Sequence, residues 1–275
     1  MGSGAQFHSG CRRAVLAVFS AFAILSALKA HASPWARADG ELLLISRAEY
    51  FHATLAPELS PDGLVNSEFF RLESNTYVEF GLTEKITIGG KALYGNSWLQ
   101  RYSGTETANG FTEIEAFAQY QFLQTSTDAA SVRLAVARPA SFQSGARANQ
   151  QSNDLSAEAA ILYGRNFPAA PFKVFTAVEA GYRKSFGNSA DQVRLQTTLG
   201  AEPLPRVLVL LEGFSTISMR NEGFGGVDYD VTKLQPSIVY RVGRRLSVQA
   251  GMNKEVAGRN LAMGRTFFIG LWSEF

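Results

Sequence analysis

The chain has 275 residues, of which 46% are hydrophobic and 18% charged, a balance that fits neither a disordered nor a fibrous protein. Its 26 basic and 24 acidic residues nearly cancel, so there is no cationic excess of the kind nucleic-acid binding requires. With only one cysteine, Cys11, a disulfide framework is excluded as well.

The first element read along the chain is an export signal. Arg12 and Arg13 precede a run of about 15 residues, Ala14 to Leu28, that carries no charge, and Ala30-His31-Ala32 supplies the small-x-small pattern of a cleavage site. A bilayer-spanning helix needs roughly 20 apolar residues, so the run reads as a signal peptide over 1–32 with the mature domain at 33–275. Cleavage after Ala32 removes Arg12, Arg13 and Lys29 and leaves 23 basic residues against 24 acidic ones. It also removes Cys11, His8 and His31, so the mature chain has no thiol to bind zinc or act as a nucleophile, and His52 is its sole histidine.

Beyond residue 32 no stretch reaches the length of a transmembrane helix, and the pattern is one of alternation. Thr112, Ile114, Ala116, Ala118, Tyr120 and Phe122 share one parity, while Phe111, Glu113, Glu115, Phe117, Gln119 and Gln121 share the other. The period is two, that of a strand with one apolar and one polar face. The same split recurs over 172–183, 193–200 and 246–253. Twelve strands are predicted, at 40–52, 67–81, 85–97, 110–123, 130–139, 153–165, 172–186, 190–202, 206–220, 229–242, 244–254 and 264–275, with ten to fourteen as the range. The connections alternate between short ones and longer ones at 53–66, 98–109, 140–152, 221–228 and 255–263, the rhythm of short periplasmic turns and longer extracellular loops. The link at 187–189 breaks that rhythm. Val207 to Leu211 is apolar on both parities, and Pro236 inside the tenth strand implies a bulge or a shifted register.

The expected fold is therefore all-β: a single transmembrane antiparallel up-and-down barrel. Assigning the strands alternately upward and downward gathers Tyr50, Tyr94, Trp98 and Tyr182 at the outer end and Phe80, Tyr120, Phe122, Phe172, Tyr240 and Phe275 at the periplasmic end, as two girdles. Periodicity does not by itself distinguish inside from outside, and a secreted β-sandwich, jelly roll or lipocalin-like barrel would point the apolar face inward. In the membrane reading the polar parity lines a lumen of nine basic residues (Arg47, Arg71, Lys91, Arg133, Lys173, Arg183, Arg194, Lys233, Arg241) and nine acidic ones (Glu49, Glu73, Glu79, Glu113, Glu115, Glu158, Glu179, Glu202, Glu212). That balance argues against strong ion selectivity.

The last strand ends Phe267, Ile269, Leu271, Phe275 on one parity. This resembles the C-terminal signature of bacterial outer-membrane barrels, which implies recognition by the barrel-assembly machinery and residence among outer-membrane lipids. The layout of the chain after residue 33, with Pro34-Trp35, Gly40 and an aromatic-ended first strand, also resembles the transporter-like barrels grouped with the MetA-pathway of phenol degradation family; this likeness carries no functional residue across.

No catalytic constellation is legible. A barrel hydrolase commonly needs a histidine base with a serine or aspartate partner, and His52 sits at the outer end of the first strand on the parity of Tyr50. Glu113 with Glu115 and Glu73 with Glu79 are paired carboxylates without an Asp-rich calcium loop, and Gly223-Phe224-Gly225-Gly226 has no strand-to-helix context to cradle a phosphate. Neither a cofactor nor a metal is expected. The expectation is an outer-membrane channel or uptake protein for an unidentified small solute, with a non-conducting structural or adhesive barrel as the alternative and an outer-membrane hydrolase as the weaker one.

Overall fold

The computed structural model describes residues 33–60, 63–139, 154–220 and 228–275. The expected signal peptide lies outside them. The described residues contain no helix and twelve strands. In chain order these are β1 (Leu42–Ser60), β2 (Gly63–Gly81), β3 (Ile86–Arg101), β4 (Gly104–Gln124), β5 (Asp128–Pro139), β6 (Ser156–Asn166), β7 (Lys173–Ser185), β8 (Gln192–Leu204), β9 (Val207–Ser218), β10 (Asp230–Arg241), β11 (Leu246–Arg259) and β12 (Gly264–Glu274). Each pairs antiparallel with its neighbours in sequence, and β1 pairs with β12, so the sheet is a closed up-and-down barrel. At the seam Leu42 and Phe275 exchange backbone hydrogen bonds of 3.1 and 2.9 Å, which carries the ladder to the last residue.

The direction of the apolar parity is now plain. Tyr50, Leu72, Ile114, Leu134, Ile161, Leu199, Ile238 and Ile269 are all exposed on the outer wall. A water-soluble protein would leave that much contiguous apolar surface unpaid for, and a lipocalin-like arrangement with apolar side chains inward is ruled out. Strands of 11 residues, the lengths of β6 and β12, suffice to cross a bilayer when tilted. β1 and β2 are 19 residues each and β4 is 21, so this part of the wall extends well past the loop-side girdle.

That extension corrects three expected loops. Much of 53–66, 98–109 and 255–263 is strand, and the true connections at β1–β2, β3–β4 and β11–β12 are 61–62, 102–103 and 260–263. Alternation weakens there because both faces leave the apolar layer, so periodicity fades while pairing continues. The β7–β8 link is 186–191, longer than its expected 187–189. The expected loop 140–152 and all but the last residue of 221–228 lie outside the described residues.

Two irregularities reset side-chain direction. Between Leu93/Tyr94 and Glu113/Phe111 the ladder slips, leaving Thr112 as an extra residue on β4. Thr112 therefore turns inward beside Glu113, and Phe111 faces out, the reverse of a strict alternation. Pro236 keeps its register with Leu211 of β9, but the β10–β11 ladder runs from Leu234 straight to Ser237, as the missing N–H requires. The slip itself lies nearby, opposite Ala257 and Glu255.

Loop-side aspartates clamp the connections. Asp154 accepts from the Ser189 amide at 2.9 Å, Asp228 from Ala190 at 2.7 Å, and Asp230 from Ser218 at 2.9 Å. Asp191 accepts from the Tyr182 hydroxyl (2.5 Å), Lys184 (2.9 Å) and the Ser185 amide (3.0 Å). Those donors hold its carboxyl well below the usual aspartate range, at about 2. A carboxyl depressed in the folded state stabilises above its ordinary pKa and loses that contribution as pH falls through its folded one. The Ser185 amide should thus stay protected from hydrogen exchange, after correction for intrinsic rate, down to about pH 4, lose protection between about 4 and 2, and lose it at neutral pH in Asp191→Asn.

Candidate functional site: the barrel lumen

The interior is layered. At the end that carries Phe275, the segment before β1 folds back into the barrel. Ala38, Asp39, Gly40 and Glu41 form the reversal: Glu41 donates to Ala38 O at 3.0 Å, Gly40 donates to Gly81 O at 2.9 Å, and Gly40 has φ +75°, a conformation that disfavours a Cβ. From this turn the segment runs across the mouth. Arg37 pairs with Glu79 of β2 at 2.6 Å, and its amide donates to Thr87 of β3 at 2.9 Å. The Ala36 amide donates to Gln121 of β4 at 3.1 Å, Ser131 of β5 donates to Pro34 O, and Gln119 donates to Ser33 O at 3.0 Å. Trp35 meets the edge of Phe175 on β7, with ring centroids 6.4 Å apart. Its indole lies against Gly164 of β6, where a Cβ would come within 2.5 Å of the ring. Ser33, Pro34, Ala36 and Arg37 are all buried. One short segment thus touches β2 through β7 and obstructs the mouth.

Above it lies an apolar layer that alternation did not reveal. Leu43, Ile45, Tyr77, Phe117, Ala135, Phe175, Leu208, Leu210, Val239 and Trp272 form one buried cluster on the inward parity. Trp272, 1% exposed, donates through its indole N–H to Gln249 at 3.0 Å. Full burial of each large apolar side chain contributes about 1.5–3 kcal/mol, so this layer is a core within the barrel. The two-sided apolar stretch of β9 is explained: Leu208 and Leu210 point in, Val209 and Leu211 out. Inward rings lie close against glycines of an adjacent strand, Phe117 against Gly89, Phe175 against Gly200 and Phe268 against Gly251.

The charged layer comes next, toward the loops. Arg183 of β7 holds Glu158 of β6 at 2.7 Å and Glu115 of β4 at 2.7 Å, with Glu113 at 3.6 Å. Strands β5 and β6 separate β7 from β4, so the bond to Glu115 passes through the lumen. Arg194 shares Glu158 at 2.8 Å, and Lys91 reaches Glu113 at 3.2 Å. Arg133 spans from β5 to Glu179 of β7 at 3.0 Å, donates to Gln119, and lies over the Phe117 ring at 4.8 Å. Arg47 pairs with Glu49 at 2.7 Å and covers Phe268 at 4.8 Å. Glu73 accepts from Thr112 at 2.8 Å and lies 3.6 Å from Arg71. The missed bulge at Thr112 therefore places a donor for this carboxylate.

The remaining charges sit elsewhere. Glu79 belongs to the mouth, with Arg37. Glu202 pairs with Arg241 at 2.8 Å and with the half-exposed Lys173 at 3.5 Å, near the end that carries Phe275, while Lys233 pairs with Glu255 at 3.1 Å on the β10–β11 side. Glu212 is 1% exposed and is bonded by Gln235 at 2.7 Å. Among Arg47, Asn75, Lys91, Arg133, Glu158, Glu179, Arg194, Gln196 and Phe214 a cavity of about 200 Å³ remains. Phe267, Ile269, Leu271 and Phe275 face outward in one file, each at least half exposed. His52 also faces outward, bonded to Glu68 at 2.5 Å and stacked on Phe70 at 4.9 Å.

No family model matches the sequence, and no curated protein matches it. Solved structures do share its fold. An outer membrane channel from Pseudomonas putida F1 aligns with a TM-score of 0.64 at 12% identity, covering 88% of this chain and 97% of that one. The NanC porin aligns at 0.56 and 9% identity, over 83% and 98% of the two chains. The β domain of the Bordetella autotransporter BrkA aligns at 0.51 and 13%, over 86% and 100%. At such identities the likeness is one of fold alone, that of a β-barrel.

Removing Arg183 would leave Glu113, Glu115 and Glu158 crowded around an empty place. Arg183→Gln should lower unfolding stability by about 3 kcal/mol. Lys173→Gln, which removes a half-exposed cation and leaves Glu202 paired with Arg241, should cost less than about 1 kcal/mol. Urea titration of the two variants in detergent, followed by heat-modifiable gel mobility, reads the difference.

Proposed function

We propose that this protein is a bacterial outer-membrane channel for small hydrophilic or weakly amphipathic solutes, held closed at its periplasmic end by its own residues 33–41. The observation that carries the reading is the inner wall: a cavity of about 200 Å³ bounded by arginine, lysine, glutamate and amide side chains, where a purely structural barrel needs only to be filled. Twelve strands lie between the eight of a filled barrel and the sixteen of an open porin, so side chains and a short segment are enough to decide whether the path is open. The apolar outer wall and the two aromatic girdles support residence in the outer membrane, with export by the leader at 1–32 and assembly through the terminal strand as parts of the same proposal. The fold shared with the Pseudomonas channel and the NanC porin supports it too, and the resemblance to the phenol-degradation group of barrels points the same way.

The seated segment makes the obstruction removable. It is held by hydrogen bonds, by ion pairs of Arg37 with Glu79 at 2.6 Å and Glu274 at 4.0 Å, and by one aromatic contact, and it joins the barrel ladder through Gly40 and Glu41, which bond to Gly81. Two wall glycines receive it: a Cβ at Gly81 would strike Ala38, and one at Gly164 would strike Trp35 and Pro34.

A second reading, a non-conducting structural barrel, is favoured by the cross-lumen ties of Arg183 and Arg133. Single-channel recording in planar bilayers separates the two. In a channel closed by its own segment, wild type conducts in small or rare steps. Deleting residues 33–38, or displacing Trp35 by Gly164→Val, should raise unit conductance or open time several-fold. Barrels that insert but stay silent in all three forms would refute the channel and leave the structural reading.

A further inference from the structure

The outer wall carries one place where like charges are set against each other. Lys254 of β11 and Arg265 of β12 are direct cross-strand partners, and Arg265 is in turn opposite His52 of β1. Both cations fall on the outward parity, with Met252 and Phe267 one pleat below them, and both are exposed. Like charges directly opposed on a sheet face are destabilising. Several other cations near the loop side are balanced within the protein: Lys184 by Asp191, Arg220 by Asp228 and Arg259 by Asp230. Lys254 and Arg265 have no acidic partner among the described residues.

Their height on the wall is informative. The row directly beneath runs Met252, Phe267, Tyr50, Leu72 across four adjacent strands, all outward, with Tyr50 and Phe267 among the exposed hydrophobics. The cation row begins where this apolar row ends, on the side of the longer loops. An amphiphile with acyl chains along the lower row would place its polar head against Lys254 and Arg265.

We infer that Lys254 and Arg265 form a docking site for a phosphate-bearing glycolipid of the outer leaflet, the anion that the paired cations lack. Charge complementarity and continuity with the apolar row define the ligand: acyl chains on Met252, Phe267 and Leu72, phosphate between the ammonium and the guanidinium. Arg265 supplies a fork of donors and Lys254 a compact charge, a combination suited to a phosphate's several oxygens. The site rests on the outer-membrane reading but not on conduction, because it lies on the opposite face of the wall from the lumen.

Detergent-solubilised full barrel, mixed with diphosphorylated lipid A or with enzymatically dephosphorylated lipid A, tests this by native mass spectrometry. Wild type should retain the phosphorylated form about tenfold more strongly. Lys254→Gln with Arg265→Gln should abolish that preference, while Arg244→Gln with Arg245→Gln, the same loss of charge at the opposite rim, should leave it intact. With the like-charge contact relieved, the first double variant should also unfold no earlier than wild type in zwitterionic detergent at low salt. Equal retention of both lipids by wild type, or an undiminished preference in the Lys254/Arg265 variant, would overturn the site. Neither result would bear on single-channel conductance, so loss of the lipid site and loss of the channel reading remain separate outcomes.

Discussion

An unpaired backbone N–H or C=O in an apolar medium costs several kcal/mol, and a sheet with two free edges presents a whole row of them. The β1–β12 seam removes both edges at once, with eleven register pairs from Leu43 to Ala53 and the added exchange between Leu42 and Phe275. Once the sheet is closed, each strand has an inside and an outside, and successive residues must serve different solvents. The outward file can be apolar without penalty. The inward file encloses a space that has to be filled, hydrated or charged, and this protein fills it at one height and charges it at another.

Filling dominates toward Phe275, where Trp272, Leu210 and Val239 pack beneath the charged layer and the segment before β1 lies across the mouth. Charge dominates above. There, Arg183 and Arg133 reach across intervening strands to carboxylates that would otherwise repel one another. Guanidinium groups suit this role because each can serve two or three carboxylate or amide oxygens from one planar fork. The near-equality of positive and negative charge in the sequence is thus realised locally, pair by pair, and not as a diffuse neutral lining.

The strands were readable because one face of each meets hydrocarbon and the other does not, which prints a period of two on the sequence. The positions of Ile114, Leu134, Ile161 and Ile269 follow from that alone. What alternation could not report is whatever breaks it. Thr112 is inward because of one extra residue, and a bulge leaves no mark in composition. Trp272 and Leu208 are apolar on the inward parity, so a rule that equates inward with polar passes over them. Residues 33–41 have no period at all. Their one local signal is Asp39-Gly40, a turn pair just ahead of the first strand, and their partners lie 42 to 97 positions away in sequence, at Glu79, Gln119, Gln121 and Ser131. Which carboxylate each arginine takes depends on strand order and barrel shear, neither of which is local.

The close seating of Phe117 against Gly89, Phe175 against Gly200 and Phe268 against Gly251 bears on how the bore is dimensioned. A Cβ at these glycines would come within 2.2 to 2.6 Å of the ring, so a methyl group there would push the ring from its place. Calibre is therefore governed by positions that have no side chain. Descendants of this sequence could narrow or reshape the passage by acquiring alanine or serine at those glycines, with no change to a charged residue and none to the surface that faces lipid.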